Sequence, residues 1–183
     1  MKRNKIRMVL AVCLIGVIGV WGLLVFRINR QIPAPEEITY PAEEWADMGN
    51  GLELKTQGVR FMQDQEIREF PGIYEEALLP YEMKLIWLTV SFRNPGTESI
   101  PLDLLDVAME SAGWSNITDP DFYMRMKEKT SIMIELEPDE EVQCELPFLF
   151  VRANFRDAEW EKIEQKEYFV ILKLYPQKIR VRV

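Results

Sequence analysis

Apolar and polar residues follow two regimes along this chain, divided near residue 27. From Met8 to Phe26 the stretch MVLAVCLIGVIGVWGLLVF runs for 19 residues without a charge. At 1.5 Å per residue it forms a helix about 28 Å long, close to a hydrocarbon core of roughly 30 Å. Twelve of its residues are Leu, Ile, Val or Phe, which supply about −4 to −7 kcal/mol of insertion free energy. A soluble surface helix of this length would keep a polar face. The pattern predicts a transmembrane helix over 8–26, preceded by a short tail, 1–7.

Beyond Phe26 the apolar runs shorten and alternate. Residues 27–47 carry Pro33, Pro35, Pro41 and several glutamates, a composition that favours an extended, stiff extracellular linker. Within it, Pro41 to Met48 is expected to form a turn of helix closed by Gly49, with Trp45 and Met48 on one side. Strands are predicted at 52–55, 59–63, 83–92, 100–109, 130–136, 142–151, 168–174 and 179–183. The strongest is MKLIWLTVSF at 83–92, with Ile86, Leu88, Val90 and Phe92 on one face and Trp87 buried on the other. Lys84 is expected to be exposed. In the run 142–151, Val142, Cys144, Leu146, Phe148 and Phe150 share a face. Asn94-Pro95-Gly96 suits a type II turn. Two short helices are expected, one capped by Asp119 with Pro120 at its first position, the other over 157–165 with Trp160 and Ile163 inward. Seven or eight short strands with one or two short helices make 48–183 a mainly β, immunoglobulin-like β-sandwich.

Charge separates the same two regimes. The first 30 residues hold six of the 22 basic residues and none of the 30 acidic ones. The remainder, with 16 basic and 30 acidic side chains, carries a formal charge of −14, which repels phosphate backbones and makes a nucleic-acid partner unexpected. Four basic residues precede the apolar run and two follow it, so the positive-inside rule keeps the N-terminus cytoplasmic and the C-terminal domain extracytoplasmic. The helix itself meets membrane lipid. Cleavage is disfavoured because Ile32 stands at −3 of the best peptidase site, and lipidation because Val12 precedes Cys13.

Composition also limits the chemistry. There is no histidine, and Cys13 and Cys144 are the only cysteines, so histidine triads, His-ligated or four-cysteine zinc sites and disulfide frameworks are excluded. No phosphate-binding glycine motif occurs. No catalytic, cofactor-binding or metal-ligating residue is therefore assigned. Cys144 lies on the apolar face of a strand, where a thiol is buried and inert. Lys178, Arg180 and Arg182 alternate with Ile179 and Val181, so a strand puts the three charges on one face. They read either as the solvated side of an edge strand or as the contact for an acidic partner. In either case, reversing them to glutamate is expected to leave stability nearly unchanged.

Several turn and strand signatures carry a resemblance: F-R-N-P-G at 92–96, I-P-L-D-L-L-D at 100–106 and I-E-L-E-P-D-E-E at 134–141. E-L-P-F at 145–148 and V-I-L-K-L-Y-P-Q-K at 170–178 complete the set. Together they resemble the uncharacterised, membrane-anchored immunoglobulin-like (telokin-like) domain proteins of Gram-positive bacteria. Asp139 stands where such turns usually carry glycine, which a type I turn would tolerate. The resemblance implies a surface-exposed domain and supplies no catalytic residues. The function expected is that of a non-enzymatic binding or accessory module of the envelope, serving for example a transporter, with a monomeric domain and a protein or envelope partner. The alternative is a carboxylate-based hydrolase working in a groove of the sandwich.

Overall fold

The computed structural model describes residues 2–32, 34–70, 80–126 and 131–183. The chain divides into two units, Met1–Pro35 and Glu36–Val183. The first is a single helix, α1 (Lys2–Gln31). Its segment Leu10–Gln31 is long and apolar enough to cross a membrane. The helix runs past Phe26 because Arg27-Ile28-Asn29-Arg30 contains no breaker, and it ends just before the Ile32-Pro33 step, where proline disfavours helix in the preceding residue.

The second unit is a β-sandwich with eleven strands among the described residues. In chain order these are β1 (Glu36–Tyr40), β2 (Ala46–Asp47), β3 (Glu53–Gln63), β4 (Met83–Arg93), β5 (Ile100–Asp103) and β6 (Ala108–Ser111). Then come β7 (Trp114–Ile117), β8 (Met133–Leu136), β9 (Glu141–Val151), β10 (Phe169–Lys173) and β11 (Gln177–Arg182). Three short helices join them: α2 (Asp64–Arg68), α3 (Pro120–Met126) and α4 (Asp157–Trp160). One sheet has the order β1-β11-β10-β6-β7 and the other β2-β3-β4-β9, while β5 and β8 form a separate ribbon. Between the sheets lie Leu54, Ile86, Leu88, Val90, Phe92, Met109, Leu146, Phe148, Phe150, Val170 and Val181. Burying each such side chain contributes about 1.5–3 kcal/mol. Strand β4 is covered on both faces. Its other side packs Met83, Leu85 and Trp87 with Met62, Ile67 and Phe122 from β3, α2 and α3. The Trp87 indole N–H donates to the Met62 sulfur.

The helix expected after Asp119 forms, while the one expected over 157–165 is divided into α4 and a separate 3-10 turn at Ile163–Gln165. Asp119 accepts from the Phe122 N–H at 3.0 Å, and Trp160 and Ile163 are buried. Burial pushes the Asp119 carboxyl above its usual range. The predicted strand over 130–136 begins at Met133, and Thr130 lies outside the described residues.

Other expectations are corrected. The stretch 27–47 is not all linker, because Ile38-Thr39-Tyr40 meets β11 in parallel register, Glu36 opposite Gln177 and Tyr40 opposite Val181. Extended backbone favoured by proline and like charge here finds sheet partners instead of water. No helix forms over Pro41–Met48. Glu43 sits at φ 65°, its N–H bonds the Thr56 carbonyl, and Ala46 is buried in β2. Runs 52–55 and 59–63 are one strand with a bulge at Gly58 (φ 151°). The run 100–109 breaks at Leu104–Asp106, where the Asp103 carboxylate accepts the Leu105 N–H, and the chain passes from the ribbon to the five-stranded sheet.

The type II turn is found at the second of the two turns, not the first. Gly96 is not among the residues at positive φ, whereas Asp139 is, at φ 60°. With Pro138 before it and Glu140 N–H bonded to the Glu137 carbonyl at 3.0 Å, Glu137–Glu140 is the type II turn. Asn94-Pro95-Gly96 is shaped instead by the Asn94 side chain, whose Oδ1 accepts the Gly96 N–H at 2.9 Å. Lys84 is not exposed either. It is 8% accessible, with its ammonium 2.8 Å from Glu164 Oε1 and 5.3 Å from the Trp160 ring centroid. Alternation places it on the inward face with Ile86, where only the long stem lets the charge reach the rim.

Candidate interaction surface on the five-stranded sheet

Strand β11 turns Ile179 and Val181 inward and Lys178, Arg180 and Arg182 outward, as a period of two dictates. The strand is not an edge. It lies between β1 and β10, so the three charges cross the middle of a sheet face, not its rim.

Each charge meets an acid of the same domain. Lys178 Nζ lies 2.7 Å from Glu110 Oε1 and donates to Glu110 Oε2 at 2.9 Å. Arg180 reaches Glu110 Oε1 at 3.3 Å, Glu37 Oε2 at 3.1 Å and Thr39 Oγ1 at 3.0 Å. Arg182 Nη2 is 3.7 Å from Glu167 Oε1. The Arg180 guanidinium also lies 4.1 Å from the ring centroid of Phe169, an outward-facing aromatic buried beneath it. A planar cation suits that position, since it covers a ring and donates at its own edges at once.

Beside this network is a hollow of about 410 Å³ lined by Glu110, Ser111, Lys166, Phe169, Lys178 and Arg180, among others. Lys166 Nζ donates to the Ala112 carbonyl at 3.2 Å on its margin. The Ser111 hydroxyl is buried there without a hydrogen-bond partner. Among the described residues no group of three or more Cys, Asp or Glu side chains is placed to hold a metal ion.

The three basic residues were legible from their alternation. Their partners Glu37, Glu110 and Glu167 were not, since strand order alone brings them together. A lone acid in the strand Ala108-Met109-Glu110-Ser111 was the one available hint. Cys144 is buried within reach of the Tyr123 hydroxyl, which burial pushes up to about 12.

Residues 25–179 match a family described as a domain of unknown function (DUF5028). The chain belongs to this family. The DUF5028 match takes in every strand from β1 to β10 and the start of β11, including Lys178, and it stops short of Arg180 and Arg182. No curated protein matches the chain. Among solved structures, the chain is similar to a candidate lipoprotein (ycdA) from Bacillus subtilis, with 15% identity and a TM-score of 0.49. That likeness covers 78% of this chain and 38% of the other, so this chain spans well under half the length of that relative. It is also similar to an uncharacterized β-sandwich protein from Clostridium difficile, at 11% identity and a TM-score of 0.44, covering 82% and 98% of the two chains. A conserved hypothetical protein from Bacillus anthracis gives 15% identity and a TM-score of 0.46, with 77% and 94% covered.

Proposed function

We propose that this protein is a membrane-anchored, extracytoplasmic module of a Gram-positive cell envelope that works by binding, without turnover, as an accessory to an envelope complex such as a transporter. Helix α1 would be the anchor, its four leading basic residues holding the N-terminus in the cytoplasm, and the sandwich itself would be monomeric. The observation that carries the binding reading is the state of Glu110. It lies at the edge of the hollow with both carboxylate oxygens engaged by Lys178 and Arg180. A hydrolase needs a carboxyl free to give or take a proton, and a second one across a cleft. Fixed, mutually neutralised charges instead form a stiff recognition surface.

Photocrosslinking in intact cells tests this, from a probe placed at Lys166 or Arg182 in the full chain. The expected result is a discrete adduct with one envelope component, together with removal of the domain by external protease. Absence of any adduct, recovery of the chain in a carbonate-washed supernatant, or a hydrolytic activity lost on replacing one carboxylate would each overturn the reading.

A further inference from the structure

The largest exposed apolar side chains of the sandwich are not scattered evenly. Leu174 and Tyr175, accessible to 63% and 58%, stand side by side at the tip joining β10 to β11, between the exposed Lys173 and Pro176. Strand register fixes where that tip lies. Glu36, the first residue of β1, is opposite Gln177, and the two strands run parallel. Leu174 and Tyr175 therefore project from the sheet end at which the chain enters the sandwich. Neighbouring strands lie about 4.8 Å apart and residues advance about 3.3 Å each, so Tyr175 is within about 10 Å of that point.

The tether is short. Residues 32–35 alone separate Gln31 of α1 from Glu36, and the five steps from Gln31 to Glu36 reach at most about 18 Å. Between Phe26 and Gln31 the helix rises about 7.5 Å, close to the depth of one headgroup layer at about 5–8 Å. A chain anchored through 8–26 thus begins β1 no more than about 18 Å beyond the end of that helix. From these relations we infer that the β10–β11 tip is a second contact with the bilayer, Leu174 and Tyr175 entering the headgroup boundary with Lys173 beside the phosphates. Tyrosine, apolar in its ring and polar at its hydroxyl, suits that depth. The lysine offsets the repulsion that an acidic domain meets at an anionic surface. The inference rests on α1 being a membrane anchor.

The test uses the full chain carrying Cys13→Ser and Cys144→Ala, which removes both native thiols, reconstituted in vesicles of phosphatidylcholine with a minor share of phosphatidylglycerol. Single cysteines labelled with an environment-sensitive nitrobenzoxadiazole replace Leu174, Met133 and Val17 in turn, and Tyr175→Cys serves as a second tip position. Met133 is 57% accessible on β8 and provides the matched apolar control. Quenching by headgroup-proximal spin-labelled lipid should be at least about twofold greater at 174 or 175 than at 133, with a blue-shifted emission. Tip labels quenched no more than the label at 133, while Val17 is quenched by lipid labelled deep in its acyl chain, would overturn the tip contact and leave the anchor standing. A water-exposed label at Val17 would overturn the anchor and the tip contact together.

Discussion

The side-chain amide of Asn94 donates to the carbonyl of Leu136 at 2.9 Å and to that of Glu98 at 2.7 Å. Asn94 is completely buried, and its backbone N–H and C=O bond Glu140 and Asp139 across the gap to β9. One residue thus stitches the end of β4 to the turn between β8 and β9. Replacing Asn94 by Ala takes the donor from the buried Leu136 carbonyl and from the part-buried Glu98 carbonyl, so a loss of about 1–3 kcal/mol is expected. Urea unfolding of the full chain in detergent, followed by tryptophan fluorescence, measures it.

Asp139 occupies a glycine seat. At φ 60° an L side chain is strained, and aspartate tolerates the region only partly. Asp139→Gly keeps the N–H that bonds Asn94 and relieves the strain. A gain of about 0.5–1 kcal/mol is expected, net of the added unfolded-state entropy. A lower unfolding midpoint for Asp139→Gly would contradict this.

Lys84 and Trp87 should both resist change, from opposite faces of β4. Lys84→Asp sets a carboxylate against Glu164 in a nearly inaccessible position and should cost about 3–5 kcal/mol, comparable with Trp87→Asp. Lys84→Met, which keeps the stem, should cost far less. Hydrogen bonds from Lys84 and Gln63 hold the Glu164 carboxyl below its ordinary value of 4.5. A depressed folded value means stability that is present above pH 4.5 and lost as pH falls through the folded value. Glu164→Gln should flatten that acid limb of a stability profile.

Charge reversal on β11 should separate its three residues. Lys178→Glu and Arg180→Glu each place a carboxylate against Glu110, and the second also uncovers Phe169. The pair of changes should cost about 2–4 kcal/mol. The exposed Arg182→Glu should fall within about 0.5 kcal/mol of the parent. This departs from the sequence expectation of a stripe that could be reversed freely, and thermal midpoints of the single variants decide between them.

How much could be read beforehand followed from the range of each interaction. Alternation over 83–92 and 142–151 placed β4 and β9, because burial on a sheet face repeats every second residue. Capping by Asp119 was equally local. What stayed hidden depended on partners distant in sequence. Nothing near Glu36–Tyr40 shows that β11 lies beside it, and nothing near Lys84 shows that Glu164 will receive its charge. The positive φ of Asp139 was signalled by the glycine usual at that seat but misjudged, since proline at the preceding position fits type I and type II turns alike. The same blindness applied to the basic stripe: its face was legible, and its neutralisation was not.

The parallel pairing of β1 with β11 also has a mechanical side. A pull that enters the sandwich at Glu36 and leaves it through Arg182 runs along both strands in opposite directions. The five matched positions from Glu36–Gln177 to Tyr40–Val181 then share the load in shear, and no single pair can peel away first. A sandwich tugged outward from its tether would yield by sliding that whole seam at once.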